Sequence, residues 1–148
     1  MQLSVLCGSM RRDDRASRTR AVLLLAGQLL GVGLTVLMGL IHLRLWLDGY
    51  RQIPIIGTLF IANAVCSAAL AAILLTVPVR LRRLAAAVTA LFTMGTLAGL
   101  ILSLTIGLFG MHESVRAPLV PTTLTVESVG VLVLLLMAAL PDPRQRRQ

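Results

Sequence analysis

From residue 21 to residue 43 the chain carries no charged side chain, and apolar runs of similar length follow at 55–77, 84–110 and 122–140, the last with a single acid, Glu127. A helix needs about 20 mostly apolar residues to cross a hydrocarbon core about 30 Å thick, and each run meets that length. In hydrocarbon every backbone N–H and C=O must find its partner within the protein, which admits helices and closed barrels only. The expected fold is therefore all-α: an integral membrane four-helix bundle with short connections. One stretch resists the pattern, because apolar and polar residues alternate from 41 to 48. A lone strand at a bilayer would leave its backbone groups unpaired, so these residues read as the end of the first helix. Trp46 and Tyr50 suit that depth, since both rings favour the headgroup region.

Charge needs care in such a chain. There are 14 arginines and lysines together, all of them arginine, against 6 acids, a net charge of +8. A soluble protein with that balance would invite a nucleic-acid reading. Here the charges lie almost wholly between the apolar runs, where membrane proteins carry their topology signal, so no nucleic-acid partner is expected. Residues 1–20 hold five arginines, 80–83 three and 141–148 three, placing eleven on one side of the membrane. The other side has Arg44, Arg51 and Arg116, balanced by Asp48, Glu113 and Glu127. Arginine bias over short loops sets orientation, and both termini are expected in the cytoplasm of a bacterial plasma membrane.

The layout expected from this pattern has three parts. Residues 1–20 form a disordered basic arm, 21–140 the four-span domain and 141–148 a disordered basic tail. Pro54 falls in the expected first turn of the second helix, and Pro118 and Pro121 argue against helix in the connection at 111–121. The first ten residues lack the apolar core of a signal peptide, and Met10 is an alternative start. Cys7 and Cys66 make no framework, and cytoplasmic thiols stay reduced.

Small residues recur every four positions in two spans: Gly27, Gly31, Thr35 and Gly39 in the first, Gly95, Gly99, Ser103 and Gly107 in the third. That spacing lines one helix face, where backbones can approach closely. Ala64, Ala68 and Ala72 do the same in the second, while the fourth, rich in bulky aliphatics, reads as lipid-facing. Such faces serve packing inside the bundle, or contact with a membrane-protein partner or a second copy.

Polar groups in membrane segments are costly and therefore informative. Gln28 and Asn63 are expected to make interhelical hydrogen bonds. The ionisable groups gather toward the outer half: His42, Arg44, Glu113, Glu127 and His112. Three readings fit them. One is a structural network in which Arg44 pairs with Glu113 or Glu127 and His42 bonds between helices. A second is a metal or haem site with His42 and His112 or Glu127 as ligands, although no H-x-x-x-H or E-x-x-H spacing is present. The third is a proton-linked or quinone-type site using His42 and Glu127. No phosphate-binding glycine loop, nucleophile elbow or zinc-protease motif occurs, so no catalytic residue is nominated and no cofactor is expected.

The stretch 40–63, with GLFGMHES further on, resembles a group of small four-helix membrane proteins of high-GC Gram-positive bacteria. The shared pattern is carried by His42, Leu43, Trp46, Gly49, Tyr50, Arg51, Ile53, Pro54, Ile56, Gly57, Leu59, Phe60 and Asn63. The resemblance implies a common outer-face element and carries no settled function with it. In overall plan the chain is also loosely similar to DoxX-like proteins. The expected role is an accessory or interaction subunit of a membrane complex, with a redox-associated protein (quinone or haem) and a small transporter as alternatives. The transporter ranks third because the mid-membrane positions are nearly all apolar.

Overall fold

A computed structural model describes residues 2–140; Met1 and the basic tail at 141–148 lie outside it. Four helices make up the described chain: α1 (Gln2–Leu47), α2 (Ile56–Thr76), α3 (Arg82–Thr105) and α4 (Val120–Ala139). Single 3-10 turns at Tyr50–Gln52 and Val79–Leu81 lead into α2 and α3. No strand occurs among the described residues, only an isolated bridge between Leu108 and Met111. The alternating stretch at 41–48 is helical through Leu47. Four segments, Ala21–Leu47, Ile56–Thr76, Val79–Thr105 and Val120–Ala139, are long and apolar enough to cross a membrane.

The basic arm differs from expectation. It is not a disordered lead-in, because α1 runs without a break from Gln2 into the first span. The physical reason is cooperative. No proline interrupts residues 2–47, arginine is a good helix former, and a helix already nucleated by the membrane span extends without a second nucleation cost.

α1 packs against α2 on one side and α4 on the other, and α3 packs against α4. α2 and α3, although joined by the shortest link, touch each other little. The bundle is thus an open row in the order α2, α1, α4, α3, with a gap where its two ends face each other. Its surface is studded with exposed leucines, valines and isoleucines, while Gln28, Thr35, Asn63, Ser67, Thr89, Thr93 and Thr123 are buried. A lipid surround suits that inversion, since lipid tails solvate leucine as well as a protein core does. The buried threonines are satisfied locally: Thr35, Thr89 and Thr93 each donate to the carbonyl four residues back, at 2.8–2.9 Å.

The glycine stripe on α1 works inside the bundle. A Cβ on Gly31 would stand 3.2 Å from Met137 and 3.3 Å from Leu134 of α4, and one on Gly39 only 2.8 Å from the Ser67 Cβ of α2. Gly27, one turn below, has Met137 at 3.8 Å. Between α1 and α2, Gln28 donates to the Leu74 carbonyl at 2.7 Å, the interhelical bond expected of it. Asn63 instead accepts from Ser67 within its own helix, at 3.1 Å.

Three of the packing expectations are corrected. The buried face of α2 holds Asn63, Ser67, Ala71 and Leu74, while Ala68 and Ala72 are exposed. α4 buries a full face, Thr123, Val126, Glu127, Gly130 and Leu134, so it is no lipid-facing outlier. Gly107 is not on a helix face at all. α3 ends at Thr105, and Gly107 takes φ +83° just beyond it, its N–H returning to the Leu102 carbonyl at 2.9 Å. That is the usual place of a left-handed glycine closing a helix.

Candidate functional site

The gap between α2 and α3 is a cavity of about 600 Å³. Its long walls are apolar or small: Leu59, Ala62 and Cys66 from α2, Leu91, Gly95 and Gly99 from α3. Gly95 and Gly99 are therefore not close-packing positions. A Cβ on Gly95 would meet nothing within 4 Å, and one on Gly99 only Leu108 at 3.9 Å.

Polar groups collect at one end. His42 reaches the cavity from α1, Asn63 from α2, Thr96 and Ser103 from α3, and Tyr50 and Glu113 from the two connections on that side. The turn carrying Tyr50 is held on the start of α2 by Gly57, where a Cβ would collide with the Tyr50 and Arg51 backbone at 2.9 Å. Glu113 is held by its own backbone, whose N–H donates to the Ser103 carbonyl at 3.1 Å. With both backbones fixed, the Tyr50 hydroxyl donates to Glu113 Oε2 at 2.6 Å and ties the two connections together at the mouth. Phe60 continues the chain inward, its ring 5.0 Å from Tyr50 and 5.3 Å from His42, edge-on to the latter. Arg51 lies 6.0 Å over the Trp46 ring, a cation–π contact on the outer surface.

The expected four-member network does not form. Arg44 is exposed and pairs with Asp48 one turn on in its own helix, Nε to Oδ2 at 2.8 Å, the spacing at which helical ion pairs arise. Glu113 belongs to Tyr50. His112 lies in the connection between α3 and α4 with its ring packed on Gly107. Among the described residues no three His, Cys, Asp or Glu side chains converge to hold a metal. His42 and Glu127 do come together, from α1 and α4.

Their geometry is unusual in what it leaves undone. His42 Nδ1 sits 2.9 Å from the Met38 carbonyl of its own helix, not on another helix. A carbonyl only accepts, so Nδ1 carries the hydrogen and the neutral ring turns the lone pair of Nε2 toward Glu127. The distance from Nε2 to Oε1 is 3.9 Å, too long for a hydrogen bond. Glu127 is 1% exposed, and neither carboxylate oxygen has a hydrogen-bond partner among the described residues. Thr96 stands beside it, but its one hydroxyl hydrogen is directed to the Thr93 carbonyl at 2.9 Å or the Met38 sulfur at 3.5 Å. Ser103, 4% exposed and lining the cavity, also has an unpartnered hydroxyl.

The chain has a single tyrosine, which makes the mouth bond measurable. Burial first, then the hydrogen bond and charge of Glu113, push the Tyr50 phenol up to about 12 from its ordinary 10. The fold thus favours the neutral phenol. This contribution is complete below about pH 10 and is lost as the pH rises through about 12. Phenolate absorbance in the folded protein should rise with a midpoint near 12, and Glu113→Gln should lower it while leaving it above 10, since burial is the larger cause. A midpoint that does not move in Glu113→Gln would show that the bond is not made.

Comparison with known proteins found no matching family, no similar curated protein and no similar solved structure, so the chemistry of this site is read from its geometry.

Proposed function

We propose that this chain is a multi-pass protein of a bacterial plasma membrane, both termini cytoplasmic, that binds a lipid-soluble ligand in the cleft between α2 and α3. It would act as a ligand-binding accessory component of a membrane system. The observation that carries the reading is the cleft itself, an apolar slot with its polar groups at one end. That is the usual form of a small-molecule site, and about 600 Å³ is an ordinary size for one. An elongated small molecule fits.

N-phenyl-1-naphthylamine, an apolar dye that accepts energy from tryptophan, tests the reading. The chain has one tryptophan, Trp46, near the polar end. In nanodiscs the dye should quench Trp46 saturably, at about one site per chain. Gly95→Phe should abolish the saturable component without harm to the fold, because the new ring enters open space. If Gly95→Phe binds the dye as the parent does, the cleft is not the site.

A further inference from the structure

An apolar cleft open to lipid is filled by acyl chains by default, so the ligand's identity must come from the polar end. The signs of the charges there run against the rest of the molecule. The chain carries +8, yet among the described residues no arginine lines the cavity and Glu113 is the one acid or arginine that does. Glu127 adds a second carboxylate just behind the wall, in contact range of His42 and Thr96, which line it. Thr123, one turn before Glu127 on α4, lines it too.

Hydrogen-bond capacity points the same way. Both Glu127 oxygens lack a partner among the described residues, and His42 in its neutral form offers the lone pair of Nε2. The Tyr50 hydrogen is committed to Glu113. The Ser103 hydroxyl, facing the cavity without a partner, can accept as well as donate. A low-dielectric pocket whose polar end holds a carboxylate and no cationic side chain among the described residues calls for a positive group that donates hydrogen bonds. A ligand whose head only accepts, such as a quinone, would leave the carboxylates without partners.

We infer that the cleft selects an amphiphilic cation, with its apolar body between α2 and α3 and a protonated amine head beside Glu113 and Ser103, with Glu127 one layer behind them. This rests on the cleft being a ligand site. The arginine-free lining leaves nothing to repel the head. His42 is the titratable group within 4 Å of Glu127 among the described residues, and in its neutral form it presents a further acceptor to the same head. Entry is lateral, from the lipid, along the face where Gly95 and Gly99 leave room.

The experiment is displacement of the naphthylamine dye from protein in phosphatidylcholine nanodiscs, comparing decylammonium with decanol at matched membrane mole fraction. The two probes share a chain and differ in the charge of the head. Decylammonium should displace the dye at a roughly ten-fold lower mole fraction, the scale of one charge-assisted contact. The preference should shrink in Glu127→Gln and vanish in the double variant E113Q/E127Q. Equal displacement by the two probes in the parent protein overturns the inference, and that comparison needs no variant to fold. So does a preference that survives in E113Q/E127Q. Absence of a saturable dye site in the parent is a different result, and it removes the ligand-site reading itself.

Discussion

Gly39→Val should separate α1 from α2 and lower the melting temperature by roughly 5–10 °C, the effect of about 1–3 kcal/mol of overpacking in a chain of this size. Any Cβ at residue 39 would stand 2.8 Å from the Ser67 Cβ and 3.4 Å from the Ala64 carbonyl oxygen. The first is a side-chain root and the second is backbone, so neither can swing aside as the tip of a long side chain would. Relief requires the helices to part, and parting them stretches the bond from Gln28 to the Leu74 carbonyl lower in the same interface. Gly33→Val is the control: it adds the same side chain to the same helix, where a Cβ meets nothing within 4 Å. Thermal unfolding in detergent, followed by Trp46 fluorescence, should show Gly33→Val melting with the parent and Gly39→Val well below it. Equal melting of the two variants would mean that α1 and α2 do not meet at Gly39.

The contrast between those glycines shows where sequence reading stops. Four apolar runs, their lengths and the arginines between them were legible because hydrocarbon imposes one condition on every residue of a span. Helix boundaries fell within a few residues of expectation, except at the start of α1, which lies at Gln2, and at the end of α3, where Gly107 closes the helix. The glycine itself was the available signal, since one placed just after an apolar run is a stop as readily as a packing residue. Spacing of four identifies a face but not what lies opposite it. Gly31 and Gly39 face neighbouring helices, while Gly95, on an equally regular stripe, faces open space.

The site was less legible for the same reason. His42 and Glu127 stood out because polar groups in a span are rare, but their juxtaposition depends on α1 and α4 being neighbours. Arg44 was assigned a distant acid when Asp48, four residues on, supplied a local one. The bond between Tyr50 and Glu113 joins residues 63 positions apart, and nothing in either local pattern announces it. Nor does any spacing reveal that α2 and α3 stand apart. The cleft is a property of the whole row of helices.

Glu127→Met should make the protein more stable, raising the melting temperature by roughly 5–10 °C. The carboxyl is 1% exposed with both oxygens unpartnered, and leaving a buried polar group unsatisfied costs about 1–3 kcal/mol. Methionine has similar length, no polar atom and enough flexibility to fill the space among Met38, Leu34 and the aliphatic residues of the same core. His42 loses nothing, since its Nδ1 bond to Met38 is internal to α1 and its Nε2 makes no hydrogen bond to Glu127. Glu113→Met is the contrasting case. That carboxylate accepts from Tyr50 at 2.6 Å, so its removal should give no gain. If Glu127→Met instead melts well below the parent, the carboxyl is a structural element of the α1–α4 interface, and its unpaired oxygens find partners that the fold does not reveal. If it melts above, the bundle carries an acid that weakens it, the mark of a group kept for something other than stability. Dye binding should then survive in the stabilised variant, because Glu127 is not itself a cavity wall, while the preference for decylammonium over decanol should fall.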